Sequence, residues 1–138
     1  LKLIIPKTST TFYKKFLHQI RDYQLQNQVT ILHNLEENEL KNELVDSNCI
    51  VIPSYSEGFC FAAVETIALK IPVISSNQGA LKEVVSGKHI RMHDHSADAL
   101  YQALSKAKEN KYLEDPVKKF EWKDDIREYL DLYETVLN

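Results

Sequence analysis

The chain of 138 residues fits one domain and is long enough to bury a real core. Its 43% apolar and 27% charged residues are ordinary for a globular protein, and 17 basic against 20 acidic side chains leave a formal net charge of −3. That balance supplies no clustered basic face for nucleic acid, and no apolar run reaches the roughly 18–20 residues of a membrane span. The basic pairs Lys14-Lys15 and Lys118-Lys119 are isolated and read as solvated helix faces. Leu1 to Ile5 leads straight into Pro6, which is no signal-peptide pattern. Cys49 and Cys60 sit in apolar surroundings without a disulfide framework, which points to a reducing, cytoplasmic setting. Glycine occurs only at 58, 79 and 87, so each position is informative.

Leu1 to Ile5 reads as a buried strand stopped by Pro6. Ser9 is placed to cap a helix running to about Gln24, with Phe12, Phe16, Ile20 and Tyr23 at helical spacing. Val29 to Leu32 is a second strand. Asn34 to Asn38 opens a helix with Leu40, Leu44 and Val45 as its stripe. Cys49 to Ile52 is a third strand, Pro53 to Gly58 a turn, and Phe59 to Leu69 a helix apolar nearly all round, hence expected to be buried. Pro72 to Ser75 is a fourth strand, Asn77-Gln78-Gly79 a turn, Leu81 to Val85 a short helix and His89 to Met92 a weak strand. Ser96 caps a helix carrying Ala99, Leu100, Ala103 and Leu104. Asp115-Pro116 starts a last helical region through Trp122, Ile126, Tyr129, Leu130, Tyr133 and Leu137.

Strands alternate with helices, and the strands are continuous apolar runs. That pattern predicts an α/β fold, a Rossmann-like doubly wound parallel sheet covered on both faces. Such sheets bind ligands beyond the C-terminal ends of their strands. Both informative turns, after Ile52 and after Ser75, lie there. The first N–H groups of the helix after Gly58 have no intrahelical acceptor, and its dipole favours anions. Gly58 allows a sharp turn and a close approach of ligand to backbone. Together these features suit a phosphate. Glu57 stands at the mouth, and Glu65 lies about one and a half turns inside the helix. One acid is then placed for the sugar side of a pyrophosphate and the other for a ribose. On spacing alone, a ligand-free glycine turn with a stabilising acid fits equally well.

Pro53-Ser54-x-x-Glu57-Gly58-Phe59 followed by Glu65 resembles the Glu-x7-Glu signature of the retaining glycosyltransferases called group 1 or family 4, built on the GT-B fold. The resemblance continues through Pro72-Val73-Ile74, Gly79-Ala80, Glu83-Val84-Val85 and Gly87, and returns at Phe120-x-Trp122 and the Tyr133 helix. It implies a GT-B C-terminal domain over residues 1–138 that binds a nucleoside-diphosphate sugar and transfers a hexose with retention, in polysaccharide or glycoconjugate biosynthesis. It implies that Glu57 is the catalytic residue and contacts the donor hexose. The backbone of Gly58, Phe59, Cys60 and Phe61 would hold hexose and diphosphate, and Glu65 would hold the ribose. Ser54 and Gly79 complete the implied donor set, although a plain helix start explains Gly79 as well. No cofactor and no metal are implied. The family has glycine where this chain has Cys60 and Lys70; Lys70, a cation at a helix end, reads as structural.

By the same resemblance, the basic residues that neutralise the diphosphate come from a strand–helix element upstream of Leu1, and an N-terminal acceptor domain or partner chain completes the enzyme. The expectation is that these 138 residues alone do not turn over. Any peripheral membrane association would come through those other parts. The last helix would cross toward the other domain, leaving some of its apolar face exposed. A non-catalytic binding component of a split enzyme and a GT-B nucleotide-sugar epimerase are the alternatives; product analysis with donor alone separates transferase from epimerase. His89, Arg91, His93, Asp94 and His95 are conceivable metal ligands, but a polar loop after a strand is preferred. Cys60 at a helix N-terminus is a conceivable reactive thiol, with a packed small residue preferred.

Overall fold

A computed structural model describes residues 1–137. In chain order the elements are β1 (Lys2–Ile4), α1 (Thr11–Asp22), β2 (Thr30–Leu32), α2 (Glu37–Val45), β3 (Ile50–Ile52) and α3 (Phe61–Ala68). They continue as β4 (Val73–Ser75), α4 (Leu81–Val84), β5 (Gly87–Arg91), α5 (Ala97–Lys108), β6 (Leu113–Asp115) and α6 (Trp122–Leu137). The chain divides into two compact units, Leu1–Glu43 and the remainder from Leu44.

In the first unit β1 and β2 pair in parallel, Leu3 opposite Ile31. Thr10, not the expected Ser9, caps α1: its backbone is extended, and its hydroxyl accepts from the Tyr13 N–H at 3.2 Å. Tyr13 Oη lies 3.1 Å from His33 Nε2, and His33 Nδ1 lies 2.8 Å from the Ile5 carbonyl, which ties the helix to the ends of both strands.

The second unit holds a four-stranded sheet in the order β3-β4-β5-β6. Successive residues of a strand point to opposite faces, so Val73 and Ile74 seed two separate cores. On one face Ile52, Val73 and Val85 pack with Ala63, Ile67, Leu81 and Val84 of α3 and α4. On the other, Ile74, Ile90 and Met92 pack with Ala99 and Ala103 of α5. Helices therefore cover both faces, as a Rossmann-like, doubly wound α/β fold requires. Each large aliphatic side chain withdrawn from water here contributes about 1.5–3 kcal/mol.

The structure corrects several expectations. Strands β3, β4 and β5 are parallel, but β6 runs antiparallel to β5, with His89 opposite Leu113. The segment assigned to the start of the last helix is thus an edge strand followed by an irregular stretch, and α6 begins only at Trp122. The Lys118-Lys119 pair lies in that stretch rather than on a helix. There the Lys118 N–H donates to Ser86 Oγ at 3.1 Å, and its ammonium donates to the Glu83 carbonyl. Helix α3 begins at Phe61, not Phe59, and is only half covered: Ala63, Thr66 and Ile67 are buried, while Phe61 and Glu65 are exposed. Helices α1, α3 and α5 all end in the same way. Gln24, Lys70 and Asn110 adopt left-handed backbone, and the next N–H reaches back to Ile20, Thr66 and Lys106 respectively. Helix α6 buries none of its described residues. No helix among the described residues is long and apolar enough to cross a membrane.

Candidate functional site

Strands β3 and β4 end side by side, Ile52 opposite Ser75, so their turns emerge together at the C-terminal edge of the sheet. Several bonds lash these turns to one another. The Ser76 N–H donates to the Ile52 carbonyl at 3.0 Å, and Ser76 Oγ donates to the Ser54 carbonyl at 2.6 Å. The Ala80 N–H donates to the Glu57 carbonyl at 3.3 Å. Gly79 has φ +52°, and a Cβ there would stand 3.0 Å from the Glu57 carbonyl oxygen and 3.1 Å from its nitrogen. Gly79 therefore lets one turn press against the backbone of the other. From the loop after β5, His95 Nε2 lies 3.4 Å from the Ser54 carbonyl, and its ring stacks on Tyr55 with centroids 4.0 Å apart.

The turn leads into an unusual helix start. Cys60 occupies the N-cap position with φ 68° and ψ 68°, left-handed backbone that costs a non-glycine residue about 1–2 kcal/mol. No side chain caps α3, and its first turn carries no acid. Among the described helices it is the one with neither: α1 and α5 have hydroxyl caps, and α2, α4 and α6 have first-turn acids. The first protein-bonded amides are those of Ala63 and Val64, both donating to the Cys60 carbonyl. The N–H groups of Gly58, Phe59, Cys60, Phe61 and Ala62 meet no acceptor among the described residues. A Cβ on Gly58 would meet nothing within 4 Å outside its chain neighbours, so the turn is open at that α-carbon. Uncompensated donors at the positive end of a helix dipole make an anion receptor.

The implied site residues fall into two groups. Ser54, Glu57, Gly58, Phe59, Cys60 and Gly79 converge on the two lashed turns, Glu57 half-buried and Gly58 exposed. Glu65 stands one turn along α3 on the exposed face it shares with Phe61. Burial pushes the Cys60 thiol up, and the nearby Glu57 carboxylate adds to that rise against a lowering by the Ala63 N–H. Burial thus disfavours the thiolate, which supports the preferred reading of Cys60 as a packed small residue. The His-rich segment does not gather into one site. His89 is fully buried in β5, with Nδ1 3.0 Å from the Gly87 carbonyl and Nε2 3.7 Å from Asp115; His93 instead pairs with Asp94 on the surface. Among the described residues no group of three or more His, Cys, Asp or Glu is placed to hold a metal ion.

Sequence reasoning missed Ser76 and the packing of Phe120, and it named His95 only as a conceivable metal ligand, not as a partner of this turn. Ser76 had a usable signal, a small hydroxyl one residue past a buried strand whose neighbour carries the motif. His95 had none, since its partner Ser54 lies 41 residues away.

Residues 9–130 match the sequence profile described as Glycosyl transferases group 1. The chain is 33% identical over 92 residues to a human protein named as a phosphatidylinositol N-acetylglucosaminyltransferase subunit, covering 66% of this chain and 19% of that protein. It is 30% identical over 99 residues to TuaC of Bacillus subtilis (strain 168), whose name provisionally assigns it to teichuronic acid biosynthesis as a glycosyltransferase, covering 71% and 23%. To the O-antigen chain mannosyltransferase RfbU of Salmonella typhimurium it is 33% identical over 84 residues, covering 61% and 24%. The matched segments span about a fifth to a quarter of these relatives. With the profile covering most of the sequence, the chain belongs to the group 1 glycosyl transferases.

Proposed function

We propose that this chain is the donor-binding part of a retaining hexosyltransferase of family 4, acting in glycoconjugate or polysaccharide biosynthesis. The observation that carries the reading is the start of α3: five N–H groups unpartnered among the described residues, no capping side chain and open space at the Gly58 α-carbon. A nucleoside diphosphate supplies the anion such a receptor lacks. In this reading Gly58, Phe59, Cys60 and Phe61 hold the diphosphate through their amides. That stabilises it as a leaving group by fixed dipoles, without a metal. Glu65, exposed on the flank of α3, accepts from the ribose hydroxyls. Glu57 positions the hexose hydroxyls, its backbone fixed by Gly79 and Ala80, while Ser54 anchors the front of the turn.

Family membership supports glycosyl transfer, and the relatives' names cite N-acetylglucosaminyl transfer to phosphatidylinositol, teichuronic acid biosynthesis and mannosyl transfer in the O-antigen chain. The human relative's name marks it as one component of a larger enzyme, which supports work alongside an acceptor-binding domain or partner chain. The two free cysteines suit a cytoplasmic enzyme.

The test is Glu65→Ala in the full-length polypeptide, with UDP and GDP titrated by calorimetry. Bonds to a charged acceptor are worth about 1.5–3 kcal/mol each, so affinity should fall at least about tenfold. Unchanged affinity would remove Glu65 from the site. Retention is checked by the anomeric configuration of the product, and an inverted linkage would end the family 4 reading.

A further inference from the structure

Cys60 holds a left-handed conformation that a side chain rarely adopts, in the middle of the turn whose amides form the proposed donor site. Such residues persist only where their surroundings over-determine them. The residues on both sides of Cys60 are aromatic, and they meet: the Phe59 and Phe61 rings lie 5.0 Å apart at 61°. Phe59 also meets Phe120 edge-to-face, with centroids 5.1 Å apart at 80°. Phe120 is far away in sequence. It lies in the irregular stretch between β6 and α6, and that stretch is itself pinned. The Lys118 amide is bonded to Ser86, the Lys118 ammonium to the Glu83 carbonyl, and Val117 lies against the open α-carbon of Gly87. Phe120 is thus delivered to Phe59 by a strap fastened to the α4–β5 connection.

We infer that Phe120 is a positioning residue for the donor site: through Phe59 it clamps the turn in the shape that Cys60 resists, and so keeps the α3 amides converged. The inference rests on the donor-site reading above and adds a residue to it. It explains how this chain carries a side chain at a position where glycine would hold the same backbone without help. Removing the clamp lets the turn relax toward ordinary backbone at Cys60, and the amides diverge. Replacing Cys60 by glycine removes the conflict, and with it the need for the clamp.

The experiment is a double-mutant cycle in the full-length polypeptide, with UDP and GDP affinity as the readout and melting temperature alongside. Phe120→Ala should weaken nucleotide binding about tenfold in the native background and by no more than about threefold beside Cys60→Gly, a coupling of the size neighbouring residues show. Equal losses in both backgrounds, or no loss in either, overturn the inference, because lost packing alone would be insensitive to the residue at 60. If Phe120→Ala does not fold, Phe120→Leu is read in the same way. Glu65→Ala run in parallel separates the two levels. If Glu65→Ala leaves affinity unchanged, Glu65 leaves the site; if the native protein binds neither UDP nor GDP, the site reading itself fails. If Glu65→Ala weakens binding while the Phe120 cycle shows no coupling, only the clamp fails.

Discussion

Cys60 and Lys70 bracket α3, both in left-handed backbone, with φ of 68° and 61°, and yet the two ends of the helix are finished in opposite ways. At the Lys70 end every geometric consequence is used internally. The Leu69 amide returns to the Glu65 carbonyl at 3.1 Å, the Lys70 amide to Ile67 at 2.9 Å and the Ile71 amide to Thr66 at 3.1 Å, so three successive carbonyls are closed off. At the Cys60 end the carbonyl accepts from the Ala63 and Val64 amides, but the amides before them are not closed. That end leaves five amides without partners among the described residues, in a turn whose Gly58 α-carbon faces open space. One conformation therefore serves as a structural stop at one end and underlies the proposed receptor at the other. The difference lies in what surrounds it: a helix terminus packed by Ile71 against a terminus lashed to its neighbouring turn and left uncapped.

The largest effect is expected where the lashing is tightest. Gly79→Ala combines positive φ with a methyl 3.0 Å from the Glu57 carbonyl, and should destabilise the fold by about 2–3 kcal/mol, read as a drop in melting temperature. A melting point within a degree of the native protein would show that the two turns are not pressed together. Next comes Lys70→Gly, which removes strain from an exposed side chain and should stabilise by about 0.5–1 kcal/mol in denaturant unfolding. Destabilisation there would mean that the lysine stem contributes packing. The smallest effect belongs to Cys60→Gly. Strain relief is offset by loss of a buried thiol from the core below, so net stability should move by less than about 0.5 kcal/mol. A clear gain from Cys60→Gly, equal to that at position 70, would erase the contrast between the ends.

Much of this was readable from residues alone, and the misses have physical causes. The apolar runs at Cys49–Ile52 and Pro72–Ser75 gave β3 and β4 because a strand buried on both faces leaves no other pattern. Gly58 and Gly79 marked the two turns, yet for different reasons: open space before one, the Glu57 backbone against the other. Strand β6 escaped notice because Leu113-Glu114-Asp115 is exposed throughout, and an edge strand needs little hydrophobicity to pair. The burial of α3 was overestimated because Phe61 and Ala68 look like core residues and lie on its open face. Composition says nothing of backbone dihedrals, so the left-handed state of Cys60 was not legible from cysteine itself. The resemblance, with glycine expected at 60 and 70, pointed at both positive-φ positions without giving the reason.

The central claim, that the uncapped start of α3 receives a diphosphate, is tested most directly at Gly58. Its backbone is not left-handed, and a methyl there meets no atom within 4 Å outside its chain neighbours, so Gly58→Ala should leave the melting temperature unchanged. The same methyl would occupy the space a phosphate oxygen needs. Calorimetric titration of the full-length Gly58→Ala protein with UDP and GDP should therefore show affinity reduced at least about tenfold at native stability. Native affinity in a protein of native stability would contradict the account.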